Sequence, residues 1–573
     1  MKNNLKKLLC AALSTAMIAG SIVLPMTASA ETTPIFDGDT VEQEWKFDFG
    51  ASGTDAEDGY TLVTPDTNYV TNKEYGFLGI DEDSYKLGNR LDGFGNQKGQ
   101  VIKLQAGGGT GLNDAIGSVG EDSFGNAGDV YYPTRFALKA DDEAYYRVRA
   151  TVTTLDTTKD AEISLYTERK HPIFTDTKVE AGQTKTVEFS VRPTPIYYEK
   201  SEPKGTIADG MVNVCVAGKN SAIASIEIQK VQEYPVFWVL GDSTVTDGNC
   251  SLPFFRLQNY TGVGTGLTKY LPRNYAMVNE GEGGLNAADN YHFNMVKDRI
   301  KAGDYLYVEY GHNHKSDGPA GYVSNLDKYY NACHSVGATL VIVSPIERIN
   351  TFTDGAYQHT LDGFATAGAQ YVADKVTAGA TDIAYVDLNS YSLDFYNKIT
   401  TDNGGDSGAI KFYFQTAKGG GTDQTHPNDA GAENLAYEFV KAAKAVTDET
   451  QKAALAPVVN NFTDETPNLV STEITSLGAA PNDAWPQYVV PTDNEYPVVI
   501  KDIKFNEAGE ANYAKVLVQD AKIDLGAYGI IVITVKDENG EEKGKIYAID
   551  QVDNSTGNGT QEITHFTTDV KLE

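Results

Sequence analysis

The stretch Val236-Phe-Trp-Val-Leu-Gly-Asp-Ser-Thr244 decides the fold. Five consecutive apolar residues leave no polar face, and such a run reads as a strand of a parallel sheet covered on both sides. It passes directly into Gly241-Asp242-Ser243-Thr244, a tight turn at a strand's carboxyl end, where open α/β sheets bind their ligands. Four further short apolar strands follow: Tyr275-Ala-Met-Val278, Tyr305-Leu-Tyr-Val308, Thr339-Leu-Val-Ile-Val343 and Ile383-Ala-Tyr-Val-Asp387. Helical periodicity over roughly 321–336, 361–378 and 428–446 alternates with them. This alternation predicts an α/β domain with a parallel sheet over residues 233–447.

Outward from this block, the chain turns β-rich on both sides. Over 31–232, alternating patterns predict strands at 45–49, 145–152, 162–166, 184–189, 211–216 and 224–228, separated by Gly-rich turns such as Gly107-Gly108-Gly109. An antiparallel sandwich fits; the interval 50–135 gives no strand assignment. Pro457, Pro467, Pro481 and Pro486 mark 448–490 as a linker. Residues 491–573 form a third, β-rich unit, with a hairpin of 529–535 and 545–549 around Asn539-Gly540. At the N-terminus, Lys2, Lys6 and Lys7 precede an apolar run from Leu8 to Met26, closed by Ala28-Ser29-Ala30. That is the pattern of a cleaved signal peptide over 1–30, so the mature chain is expected to be secreted and extracellular. No later stretch is long and apolar enough to span a bilayer, so no membrane partner is expected.

Lys and Arg number 47 against 79 Asp and Glu, a formal net charge of −32 that grows more negative once the leader's lysines leave. Such a surface repels nucleic acid and anionic membranes at long range. Screening confines this field to roughly 10 Å at ordinary salt, so charges at the site itself decide which substrate is admitted. Beyond the leader stand Cys215, Cys250 and Cys333, with no C-x-x-C spacing. Three sparse cysteines make neither a disulfide scaffold nor a zinc motif, and buried thiols are the simplest reading. Whether any two of them bridge is left open by sequence.

The chemistry-bearing residues collect where this sheet type places function. Ser243 needs a base to become a nucleophile. Asn279, Gly281 and Gly283-Gly284 follow the second strand, where glycines let backbone N–H groups approach a ligand. The third strand ends in Glu309-Tyr-Gly-His-Asn-His314, and the Asn313 amide is a candidate oxyanion donor. Asp423 stands three residues before His426, a spacing that lets a carboxylate fix an imidazole tautomer and leave the other nitrogen for a hydroxyl. Taken singly, each is ordinary turn or cap chemistry; together, four weak signals fall in order at the expected places.

In that order the chain resembles the SGNH hydrolase superfamily, named for Ser, Gly, Asn and His in four blocks. The blocks match Gly241-Asp242-Ser243-Thr244, Asn279 through Gly284, Gly311-His312-Asn313 and Asp423-x-x-His426. Thr244, with Lys46-Phe-Asp-Phe-Gly50 and Tyr75-Gly-Phe77 upstream, looks more particularly like the rhamnogalacturonan acetylesterases, some of which carry an N-terminal β-sandwich. The resemblance covers about 31–447. It implies a three-layer, flavodoxin-like hydrolase domain preceded by a galactose-binding-like sandwich, while the C-terminal β-rich domain is read from its strand pattern. It implies Ser243, Asp423 and His426 as catalytic residues, with Ser243 and Gly284 N–H groups and the Asn313 side chain as oxyanion hole. No metal or cofactor is implied. The implied partner is an acetylated plant cell-wall polysaccharide, most directly rhamnogalacturonan.

Three departures from the family pattern stand out. His314 replaces an Asp, Leu285 and Asn286 replace an Arg-Ser pair, and Gly262-Val-Gly-Thr-Gly266 replaces a Gly-Trp-Gly element. The pocket is therefore expected to be altered around intact catalytic residues, with His314 a rim residue that softens repulsion of galacturonate, and Asp242 and Thr244 as further substrate contacts. Competing readings are a metal site begun by His312-x-His314 with His292 or Asp423 as third ligand, a catalytically silent carbohydrate-binding protein, and an esterase for acetylated xylan or a lipid.

Overall fold

The computed structural model describes residues 33–67, 74–77, 103–108, 114–119, 130–131, 134–168, 170–194, 196–197, 206–207, 210–247, 254–255, 257, 260–416, 421–463 and 465–472, and the backbone of five strands between 498 and 568. The expected leader and Cys250 lie outside the described residues.

The protein is mixed α/β. Five strands pair in parallel: β1 (Val236–Gly241), β2 (Ala276–Asn279), β3 (Tyr305–Glu309), β4 (Thr339–Val343) and β5 (Ile383–Val386), in the order β2-β1-β3-β4-β5. The period of two divides each strand between two cores. Phe237 and Val239 join Tyr307, Val341 and Val343 in one cluster, while Val236, Trp238 and Leu240 join Leu306, Val308 and Ile342 in another. Helices α1 (Val263–Leu267), α6 (Leu388–Asp402), α7 (Asp429–Lys444) and α8 (Glu449–Val459) contribute to the first cluster. Helices α2 (Tyr291–Lys297), α4 (Leu326–Val336) and α5 (Asp362–Thr377), with Tyr322 of the short α3 (Gly318–Val323), contribute to the second. Because β1 lies between β2 and β3, the connections leaving β1 and β3 run in opposite directions, and the carboxyl ends of these two strands form the switch point at which sheets of this type bind ligands.

Helix α8 corrects the expectation of a linker from 448. Its Leu455 and Val458, and Phe462 beyond it, are buried in the first core. Asp448 caps it, accepting from the N–H groups of Thr450 (3.1 Å) and Gln451 (3.0 Å). The helix covers the sheet's edge strand, whose outer backbone groups need partners: Gln451 Oε1 accepts from Tyr385 N–H at 2.9 Å. Pro457 sits in its last turn, where it removes a single hydrogen bond.

Most strands before residue 232 fall in two largely antiparallel sheets. One runs Thr184–Val191, Tyr145–Thr154, Ser221–Val231, Val41–Phe49 and then the parallel Thr61–Val63. The other runs His171–Val179, Ala161–Thr167, Met211–Lys219, Thr134–Lys139 and Tyr75–Phe77. Between them Phe136 meets Phe47, Phe49 and Phe77 edge to face. The predicted strands are present, each extended by a few residues. Strand His171–Val179 was not predicted, because Pro172 and two register shifts break its alternation. It is an edge strand, and it docks on the α/β half. There Lys170 pairs with Asp429 (2.6 Å), His171 with Asp247 (2.7 Å), and Thr175 Oγ1 donates to Glu433 (2.7 Å) while accepting from Lys269 (2.7 Å). All of these groups are buried.

Beyond 491, Tyr528–Lys536 and Glu542–Gln551 pair antiparallel, as the hairpin reading predicts, and Val498–Phe505 pairs with Ala511–Val518. The Asn539-Gly540 turn lies outside the described residues. Cys215 and Cys333 are buried, and desolvation raises the Cys333 thiol far above its usual range. Among the described residues, no helix is long and apolar enough to cross a membrane.

Candidate active site

The turn after β1 is built to hold one hydroxyl outward. Gly241 is obligatory: a Cβ there would meet Val245 Cγ2 at 2.4 Å and the Glu309 carbonyl at 2.5 Å. Val245 N–H closes the turn on the Asp242 carbonyl at 3.1 Å. Asp242 and Thr244 are fully buried, while Ser243 between them is partly exposed. Asp242 Oδ1 accepts from Thr244 N–H (3.0 Å) and lies 2.9 Å from Thr244 Oγ1. These two residues therefore brace the turn, which corrects the expectation that they contact substrate: side chains flanking Ser243 on a tight turn point into the sheet.

Behind them, Glu309 Oε1 lies 3.0 Å from Thr244 Oγ1, and Tyr307 Oη donates to Glu309 Oε2. Burial raises the Glu309 carboxyl to about 8, with the Asp242 charge adding to the rise. A protonated Glu309 gives the chain a consistent direction. Tyr307 donates to the Glu309 carbonyl oxygen, the Glu309 hydroxyl to Thr244, and Thr244 to the Asp242 carboxylate.

His426 reaches Ser243 from strand Thr422–Pro427, just before α7. Its Nε2 lies 2.8 Å from Ser243 Oγ, and its Nδ1 lies 3.0 Å from Asp423 Oδ2. The other Asp423 oxygen accepts from the N–H groups of Thr425 (2.7 Å) and His426 (2.9 Å), and Gln415 donates to Oδ2 at 3.2 Å. Burial pushes the Asp423 carboxyl up, but the His426 hydrogen bond and charge and the two N–H donors outweigh it and hold it at about 2. The structure thus brings together Ser243, His426 and Asp423, as the sequence reading placed them.

The loop after β2 is laced onto the same turn. Asn279 Nδ2 donates to the Val245 carbonyl (2.7 Å) and to Asp247 (2.9 Å), and Asn279 Oδ1 accepts from Gly281 N–H (3.0 Å). Glu282 N–H reaches the Gly241 carbonyl at 3.2 Å. Gly284 adopts φ +84°, a left-handed conformation that glycine takes without strain. Among the described residues, the Ser243 and Gly284 N–H groups donate to no protein acceptor. Asn313 is partly exposed and gives one amide hydrogen to the Leu285 carbonyl at 2.9 Å, leaving the second for a ligand.

His314 is not a rim residue. It is buried, its Nδ1 lies 3.0 Å from Asp317 Oδ1, and its Nε2 accepts from Ala287 N–H at 2.9 Å. An imidazole has no acceptor left after that, so His314 serves neither as a galacturonate contact nor as a metal ligand; it ties the loop after β3 to the loop after β2. His292 Nδ1 faces the Glu280 carbonyl at 3.1 Å. Among the described residues, no group of three His, Cys, Asp or Glu side chains is arranged to hold a metal ion.

Sequence reasoning missed three contributors. Tyr260 stands edge-on to the His426 ring, centroids 5.2 Å apart, and its hydroxyl donates to the Ser243 carbonyl. Asp247 links the sandwich to the loop after β2, through His171 on one side and Asn279 on the other. Arg348 donates from Nε to His312 Nδ1 at 3.3 Å. None belongs to a local motif, so no spacing signal marks them. The Gly262–Gly266 element has a packing reason: a Cβ on Gly266 would meet the Ala432 carbonyl of α7 at 2.5 Å, and one on Gly264 the Val245 carbonyl at 2.3 Å.

No family model matches the chain, and no curated protein matches it in sequence. Solved structures similar to it include the protein YXIM of Bacillus subtilis, at 19% identity and TM-score 0.33, covering 70% of this chain and 98% of that one. A family two carbohydrate esterase from Cellvibrio japonicus has 14% identity and TM-score 0.19, covering 50% and 85%. A putative SGNH hydrolase from Slackia heliotrinireducens has 15% identity and TM-score 0.23, covering 37% and 99%. Likenesses of this size carry no argument about activity, which rests instead on the arrangement around Ser243.

Proposed function

We propose that this chain is a secreted serine esterase of the SGNH type that removes O-acetyl groups from a plant cell-wall polysaccharide, rhamnogalacturonan in the first instance. The observation that carries the reaction class is the unbroken line from Asp423 through His426 to Ser243, 3.0 and 2.8 Å long at its two hydrogen bonds. Asp423 accepts the Nδ1–H of His426 and leaves the Nε2 lone pair facing the Ser243 hydroxyl. As Oγ attacks the acetyl carbonyl carbon, its proton passes to Nε2. Asp423 stays ionised beside the imidazolium, consistent with its depressed carboxyl. The tetrahedral oxyanion takes hydrogen bonds from the Ser243 and Gly284 N–H groups and the second amide hydrogen of Asn313. His426 then gives its proton to the departing sugar oxygen, and water releases acetate by the same steps.

The substrate class rests on the resemblance of Lys46–Gly50, Tyr75–Phe77 and Thr244 to rhamnogalacturonan acetylesterases, and secretion on the composition of residues 1–30. We assign 31–232 to a sandwich that buttresses the α/β half, supported by the buried pairs along His171–Val179. The catalytic unit runs past 447 to include α8.

Acetate release from acetylated rhamnogalacturonan, acetylated xylan and p-nitrophenyl acetate tests this, with Ser243→Ala as control. The expected result is hydrolysis of all three, fastest per acetyl on rhamnogalacturonan and abolished by the substitution. Faster release from xylan moves the substrate and keeps the reaction. No Ser243-dependent acetate from any of them overturns the proposal.

A further inference from the structure

Strand β4 ends at Val343, and the loop beyond it carries Arg348 between two parts of the site. Ile349 N–H donates to the Gln424 carbonyl at 3.0 Å, inside the segment that bears Asp423 and His426. The Arg348 side chain donates from Nε to His312, the neighbour of Asn313. The backbone on the other side is held just as firmly. Glu347 is buried, its N–H donates to Ser392 Oγ (3.1 Å), and its carbonyl accepts from Tyr396 Oη (2.9 Å). The Glu347 carboxylate is occupied by neutral donors, Thr360 Oγ1 (2.7 Å), Leu361 N–H (2.5 Å) and Asn389 Nδ2 (3.3 Å), and so does not pair with the arginine next to it.

Arg348 differs in its pairing from four arginines of the protein, and from Arg273, whose guanidinium is spent on backbone carbonyls. Arg147, Arg149, Arg192 and Arg299 each meet a carboxylate within 3.3 Å. Arg348 is partly exposed, meets no carboxylate among the described residues, and leans on a histidine ring. Burial lowers the His312 pKa, which keeps that ring neutral and its Nδ1 lone pair available to the guanidinium. With Nε engaged, both Nη groups remain, and together they form the planar fork that binds a carboxylate through two parallel hydrogen bonds. In a chain of net charge −32, a cation beside the catalytic residues that meets no carboxylate among the described residues is a local exception to the general repulsion of anions.

We propose that Arg348 is the specificity-determining residue that binds a substrate carboxylate, so that the ester cleaved at Ser243 sits on a sugar chain bearing uronic acids. This rests on the esterase reading above. It takes over, on a different residue, the role that sequence alone gave to His314.

The test compares kcat/KM on an acetylated uronic-acid-containing oligosaccharide, on the same oligosaccharide with its carboxyl groups methyl-esterified, and on p-nitrophenyl acetate. Wild type, Arg348→Gln and Arg348→Lys are measured in the full chain. The expected result is that Arg348→Gln loses roughly 10–100-fold more on the free acid than on its methyl ester, mainly through KM, with Lys intermediate. The wild-type preference for the acid should also weaken with added salt. Equal losses on acid and ester, or none, overturn the inference while Ser243-dependent p-nitrophenyl acetate hydrolysis keeps the esterase reading. Loss of that hydrolysis in the wild type removes both. A thermal unfolding scan separates misfolding from binding, and rescue by Lys on the acid alone also supports the assignment.

Discussion

His426 with Asp423 and His171 with Asp247 both bear on residues 242–247, one at each end of the turn. The two pairs have the same chemistry and similar geometry, 3.0 and 2.7 Å. They differ in exposure and in what else the partners touch. The His426 and Asp423 side chains are 26% and 23% exposed, and the second imidazole nitrogen faces a hydroxyl that is itself partly exposed. The His171 and Asp247 side chains are 7% and 6% exposed, and Asp247 passes the contact on to Asn279 and Thr265. A histidine–carboxylate pair becomes a proton relay when one nitrogen is left for an accessible hydroxyl. The same pair sealed between two β and α/β layers becomes a fastener. Here the fastener holds the floor of the loop that presents Gly284.

The comparison breaks most sharply at Asp423. Asp423→Asn offers His426 an amide in place of an acceptor and favours the wrong tautomer, so kcat on p-nitrophenyl acetate should fall on the order of 10⁴-fold with little change in melting temperature. If the loss is only a few-fold, the two pairs are alike and neither is a relay.

His171→Ala should show the reverse balance. Leaving Asp247 without this partner costs about 1–3 kcal/mol of stability, read as a lowered melting temperature, whereas kcat per folded molecule should fall far less than for Asp423→Asn. A loss of kcat as large as that of Asp423→Asn, at unchanged stability, would move His171 from fastener to participant.

The smallest effect tests the buried chain under the turn. Glu309 holds its proton in the folded state up to about pH 8, whereas an unfolded glutamate releases it near pH 4.5. Between those values the folded state binds the extra proton, so this group makes stability fall as pH rises, levelling off above pH 8. Glu309→Gln keeps a donor for Thr244 and an acceptor for Tyr307. It should flatten the decline of melting temperature from pH 4.5 to 8 relative to wild type. Parallel curves for the two proteins would mean that Glu309 is ionised when folded.

The parts of the site that sequence made legible are those written in local pattern. Ser243 follows an apolar strand, and Asp423 and His426 share a spacing that one short segment can close. The parallel strands were readable for the same reason, since a run such as Val236–Leu240 has one fate in water. The rest is written in distances that no spacing encodes. Tyr260 acts through its ring edge and hydroxyl, Arg348 is marked by meeting no carboxylate among the described residues, and His171 acts through an interface with a partner 76 residues away in sequence. Strand His171–Val179 hid behind Pro172 and its bulges, and α8 behind Pro457. His314 was misread because an isolated polar residue after a strand looks exposed until its two nitrogens are seen to be engaged.

The central claim is that Ser243 is an activated nucleophile with N–H donors for an oxyanion beside it. Incubation with a fluorophosphonate followed by peptide mass spectrometry tests it most directly. The account predicts one adduct, on the peptide containing Ser243, formed in wild type and lost in His426→Ala while Arg348→Gln still labels. An unlabelled Ser243 in a preparation that releases acetate, or labelling centred on another serine, would contradict it.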